Sequence, residues 1–180
     1  MARNRYAKDY RLVETWNEKG KVKVSSEYIG EKYHFAADSS AVAGKKRKLT
    51  GLCIIGWIGF FAALFWYSAG MHTLYVALPF VFTAVPLTFL TDITVSFVRM
   101  KEPLENRHAD RMNNRFPLAA LMTALFMGFA LAGEAVNVIL GKELAAGDYL
   151  LMAGGLMVFA AGVLSFMERK NVEIEKDSAE

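Results

Sequence analysis

The sequence predicts an all-α membrane protein, an antiparallel four-helix transmembrane bundle preceded by a small N-terminal cytoplasmic β-meander. Two observations predict it. Four long apolar stretches, at about 49–69, 73–98, 116–140 and 149–167, divide the 180 residues. Each reaches the roughly 18 apolar residues that mark a span. The second observation is where the cations fall. With the chain threaded in and out four times, 20 of the 21 Lys and Arg share one face, and only Lys142 lies on the other. Cationic loops resist translocation and stay cytoplasmic, so both termini are expected inside. The expected location is an integral membrane protein of the plasma membrane.

Three parts follow from this division. Residues 1–48 form a cytoplasmic region, 49–167 the four-span domain, and 168–180 an acidic cytoplasmic tail. The net charge of +3 conceals a strong polarity, since residues 1–49 hold 12 bases against 6 acids. A basic segment beside a membrane is drawn to anionic headgroups, by roughly 1 kcal/mol per Lys or Arg. The membrane accounts for the charge without nucleic acid, which is not an expected partner. Residues 1–30 lack the apolar run of a secretory signal, so the first span is expected to act as an uncleaved anchor.

Within the N-terminal region, Tyr10, Leu12, Val13, Thr15 and Trp16 favour a strand. Asn17-Glu18-Lys19-Gly20 reads as a turn, with glycine where a positive φ is needed. Lys21-Val22-Lys23-Val24 alternates as a half-exposed strand does. Gly30 marks a second break, and Lys32-Tyr33-His34-Phe35 is a third short strand. A meander over about 9–35 is the expectation. So small a unit buries too little surface to be stable alone. Its aromatic set, Tyr10, Trp16, Tyr28, Tyr33 and Phe35, either binds a partner or packs the unit itself. Residues 36–49 read as a linker ending in Lys45-Lys46-Arg47-Lys48.

The first span closes on Trp66 and Tyr67, which suit an interface. The short turn at 68–72 makes the first two spans antiparallel neighbours. Pro117 suits the first turn of the third span. Gly141 to Asp148 is a short outer loop. In the inner loop, a turn or two of helix is expected after Pro103. Arg107, Arg111 and Arg115 recur every four residues and would share a face. They are candidates, with Lys45, Lys46, Arg47 and Lys48, for binding lipid headgroups, or they serve only to fix topology.

Two acids interrupt the spans. A charge at mid-membrane costs roughly 2.5–3.5 kcal/mol on insertion scales, so such residues usually face a bundle interior or watery cavity. Each acid lies about six residues, or about 9 Å, from an opposite boundary. Asp92 and Glu134 are therefore not expected to form a pair. Thr88, Asp92 and Ser96 share a helical face, with Arg99 a turn beyond. Asp92 is either a protonatable site or an interfacial acid reached by hydroxyls and a snorkelling base. Glu134 has Asn137 at i+3, with His72, Tyr75 and Tyr67 expected at similar depth. It is either a proton or ion site or an interhelical lock.

Pro79 and Pro86 interrupt the second span and point away from Asp92 by about 140°. Ala120, Ala124, Gly128 and Ala132, with Gly59 and Ala63 and the Gly154-Gly155 pair, present small faces on which helices approach closely.

Much chemistry is excluded. Cys53 is the only cysteine, so no internal disulfide or thiolate metal cluster exists. Histidines 34, 72 and 108 are too scattered to hold a haem, and no HExxH, CxxC or phosphate-loop pattern occurs. No metal or cofactor and no enzymatic activity are expected. The leading expectation is a membrane subunit or scaffold whose β unit binds a partner or the lipid surface, with a homo-oligomer or another membrane protein as company. The rival is a small oligomeric proton- or ion-coupled transporter or channel using Glu134 or Asp92.

Overall fold

The computed structural model describes residues 6–16, 22–169 and 174–176. Four long helices dominate it: α1 (Ser39–Leu64), α2 (Leu74–Arg99), α4 (Phe116–Ile139) and α5 (Ala146–Arg169). A short helix, α3 (Asn106–Asp110), and a π-helical segment (Arg111–Arg115) lead without a break into α4. All four long helices are long and apolar enough to cross a membrane. The shortest have 24 residues, about 36 Å at 1.5 Å per residue, against a hydrocarbon core of about 30 Å. Only 33–39% of each helix's most apolar window is buried inside the bundle. The apolar majority faces outward, the reverse of a protein built for water.

The helices form a closed ring. α1 packs on α2 and α5, and α4 packs on α2 and α5. Small residues set the closest contact. A Cβ on Gly59 would lie 2.6 Å from the Gly154 carbonyl oxygen, and one on Gly154 would strike the Gly59 carbonyl in turn. Without a hydrophobic drive between helices in lipid, such close approach maximises van der Waals packing. The interior is filled by stacked Phe60 and Phe80, 4.8 Å between centroids, with Leu87, Met127, Leu151 and Val158.

The expected linker at 36–49 is corrected. α1 begins at Ser39, so Lys45-Lys46-Arg47-Lys48 is helical. Asp38 starts it by accepting the Val42 N–H at 2.9 Å. Lys and Arg are good helix formers, and buried Val42 and Leu49 hold this turn on the core. Lys46 Nζ reaches over to donate to the Met100 carbonyl at 2.8 Å, where α2 ends. A cation there complements the helix dipole.

The β-meander is also corrected. β1 (Tyr10–Trp16) and β2 (Val22–Tyr28) form a two-stranded antiparallel hairpin, in register Tyr10↔Tyr28 and Leu12↔Ser26. The turn expected at residues 17–20 lies outside the described residues. β3 (Lys32–Phe35) does not continue this sheet. It is the centre of a second one, between β4 (Leu104–Glu105) from the loop before α3 and β5 (Ile174–Lys176) from the tail. The reason is burial. There β3 places Phe35 edge-on against Phe97, 5.8 Å between centroids, in a core shared with Leu104 and Ile174. A third place in the hairpin offers no such surface.

Candidate functional site

The first cluster lies at the end of the bundle that carries Lys142. Its centre is Glu134, 1% exposed, on a turn of α4 facing inward. Asn137 Nδ2 donates to Glu134 Oε2 at 3.2 Å, while Glu134 Oε1 is buried with no hydrogen-bond partner. Gly70 makes room for the carboxylate, since any Cβ there would collide with Oε2. Asn137 Oδ1 accepts from Tyr75 and, at 2.8 Å, from Lys142 Nζ, so the one cation at this end reaches inward over the acid.

Beside it sits Asp148, wholly buried in the first turn of α5. Its Oδ1 accepts the Ser68 hydroxyl at 2.5 Å and the Gly70 N–H at 3.0 Å, and its Oδ2 accepts the Ala145 N–H at 2.7 Å. Sequence reasoning placed Asp148 in the outer loop and missed this role. The signal was present in Ser68 and Gly70, polar and small residues in a short connector, with an acid opening the nearest helix. His72, expected near Glu134, is exposed and lies against the Tyr67 ring instead.

Asp92 belongs to the opposite, basic end. It is an outward-facing residue of α2, and its partner is Arg111, with Nη1 3.6 Å from Oδ2. The same Nη1 donates to Ser96 Oγ at 3.0 Å. Arg99 does not fill that role. Thr88 does not serve Asp92 either, because its hydroxyl donates to the Ala84 carbonyl of its own helix. Asp92 and Glu134 thus stand in separate surroundings. Of the basic stripe, Arg111 and Arg115 line one groove between α2 and α4, and Arg107 does not. The π-helical segment alters the angular spacing that a regular helix would give. Lys48 pairs with Glu168, while Lys45 is half-buried and Arg47 is exposed.

The N-terminal aromatic residues mostly turn toward the chain itself. The Tyr10 hydroxyl donates to Glu105, and that acceptor pushes its pKa up to about 12. Tyr28 donates to the Glu31 carbonyl at 2.7 Å and accepts the Asn106 N–H at 2.9 Å. Tyr33 donates to Glu31 at 3.0 Å, and Phe35 is buried. Trp16 is placed by its backbone pairing with Val22. Among the residues the hairpin exposes are three aliphatic ones, Leu12 at 74% and Val24 at 57%, with Val22 on the same face by register.

Comparison with protein-family models, with curated proteins and with solved structures finds no match. The functional reading therefore rests on these residues. Among the described residues, no group of three or more His, Cys, Asp or Glu is placed to hold a metal ion.

Proposed function

We propose that this chain is a four-span integral membrane subunit or scaffold, with both termini in the cytoplasm, whose β1–β2 hairpin docks a partner protein. The observation that carries the reading is a set of three exposed aliphatic residues on one face of the hairpin. Leu12, Val22 and Val24 project from a two-stranded sheet whose outer edges pair with no other described strand. An isolated hairpin is marginally stable, and an open strand edge beside an apolar face suits strand addition. Tyr10 and Tyr28 tie the hairpin's base to the loop before α3 and leave its far part free to engage. The basic residues Lys45, Arg47 and Arg107 hold this end at anionic headgroups.

Photo-crosslinkers at Leu12 and Val24 in cells test it. A single protein adduct from these sites, and none from Ser25 on the other face, is the expected result. Adducts confined to lipid, or equal labelling from both faces, overturn it. Reporters fused at residue 1 and within 141–148 test the topology, and an outward N-terminus refutes it.

A second reading has one specific support, the unpartnered Glu134 Oε1. A buried carboxylate in a membrane span is a proton or ion site by default. With the ring's centre filled, transport requires an oligomer. Flux in liposomes that is abolished by Glu134→Gln supports it, and flux that survives both Glu134→Gln and Asp92→Asn removes it.

A further inference from the structure

The groove between α2 and α4 at the basic end has a shape and polarity that neither reading uses. Its volume is about 390 Å³, within the range of small-molecule sites. Phe89, Leu118, Met122 and Phe126 make an apolar wall, with Ala119 as a small residue beside them. Polar groups gather at one extremity only, where Asp92, Arg111 and Arg115 lie. A long apolar trough with guanidinium groups at one end matches an amphiphile with a phosphate head.

The two arginines have donors to spare. Each guanidinium carries five N–H donors in a fixed fork suited to phosphate. Arg111 makes its contacts to Ser96 and Asp92 through Nη1 alone. Arg115 faces Asp110 through Nε, at 3.6 Å. The remaining donors of both stay available to a shared anion. The nearby acids are engaged: Asp110 accepts Tyr6 at 2.5 Å and Asn114 at 2.7 Å, and Asp92 holds Arg111 beside the groove. Two acids against two guanidinium groups leave little net charge. Selection here works by hydrogen-bond geometry toward phosphate, rather than by attraction to any acidic surface.

We propose that this groove is a phospholipid site, with the phosphate bridging Arg111 and Arg115 and an acyl chain lying along Phe89, Leu118, Met122 and Phe126. A phospholipid is favoured over a free phosphate because most of the lining is apolar and opens on the outward-facing helix surface. The site takes zwitterionic and acidic phospholipids alike, since the head beyond the phosphate meets no built contact.

The test is phospholipid retention through exhaustive detergent washing of the full chain, counted by native mass spectrometry. Wild type is expected to keep one phospholipid per chain. Arg111→Gln with Arg115→Gln removes charge-assisted bonds and is expected to weaken retention by roughly tenfold or more. Ala119→Phe fills the trough with both arginines intact and is expected to empty it too. Lys142→Gln, at the other end, retains lipid like wild type. Add-back of phosphatidylglycerol and of phosphatidylcholine to washed protein restores the adduct, and diacylglycerol does not. Equal retention by wild type and the double variant, no adduct in wild type, or equal uptake of diacylglycerol overturns the proposal. Should the double variant fail to fold, Ala119→Phe and the add-back series decide by themselves.

Discussion

The two ends of the bundle solve opposite problems. At the Lys142 end the polar groups are inside: Glu134, Asn137 and Asp148 are all buried, and short connectors supply backbone donors to Asp148. At the basic end the charged groups lie toward the outside, and the interior is an apolar core of Phe35, Leu49, Phe97, Leu104 and Phe116 under a three-stranded sheet. The difference follows from chain length at each end. A connector of only 9 residues joins α1 to α2; it bonds itself in part, through the His72 N–H to Ala69 and the Thr73 N–H to Gly70, and the Gly70 N–H left over finds its acceptor on α5 at Asp148. The basic end receives the N-terminal region, the longer loop before α4 and the tail, and these bring apolar side chains of their own.

The contrast predicts a graded series. The largest effect belongs to Asp148→Ala, which strands the buried Gly70 N–H and the half-buried Ala145 N–H. At 1–3 kcal/mol for each unsatisfied donor, a loss of about 4 kcal/mol is expected in a reversible unfolding assay in detergent. Loss below about 1 kcal/mol breaks the view that this end is locked from within. Phe97→Ala probes the other end and is expected to cost about 3 kcal/mol, the low side for such truncations, because in detergent the ring stays out of water when the bundle comes apart and mainly its packing is lost. If it costs little, the basic end has no true core.

Glu134→Gln sharpens the comparison. It keeps the shape and can still meet Asn137, so stability should change by about 1 kcal/mol or less. A large loss would mean that the ionised carboxylate itself holds the end together. Smaller still is Lys48→Ala, which removes the surface pair with Glu168. A cost below about 1 kcal/mol that fades with added salt is expected.

The smallest effect concerns pH. Tyr10 is raised from 10.0 to about 12 by its hydrogen bond to Glu105. A raised pKa means the neutral phenol is favoured in the folded chain, so the contact is whole below pH 10 and is lost as pH rises through about 12. Absorbance titration should show a tyrosine ionising near pH 12 that disappears in Tyr10→Phe. An unchanged titration would detach the hairpin's base from the loop before α3.

How much was readable depended on range. For α2, α4 and α5 the helix ends fell within a few residues of the apolar boundaries, because hydropathy and Pro117 act locally. The start of α1 was missed because a basic run looks like a linker until Val42 and Leu49 are seen to be buried. At the Glu134 site, the i+3 partner Asn137 was legible on one helix. Asp148, Ser68 and Gly70 were not, because their bonds join segments some 80 residues apart (78 for Gly70 and 80 for Ser68). Arg111 as the partner of Asp92 was hidden by a loop and a helix junction across a separation of 19 residues, where a nearer Arg99 lay in view.

The sequence by itself determined four apolar helices, their alternating direction and the gathering of cations at one end. These depend on the solvent preference of each residue, which sums along the chain whatever lies beside it. Tertiary structure alone decided that β3 would leave the hairpin for β4 and β5, that Phe35 would cover Phe97, and that Asp148 would bind the connector before α2. Those choices turn on which surfaces remain to be buried once the ring has closed, and no local stretch of sequence contains that information.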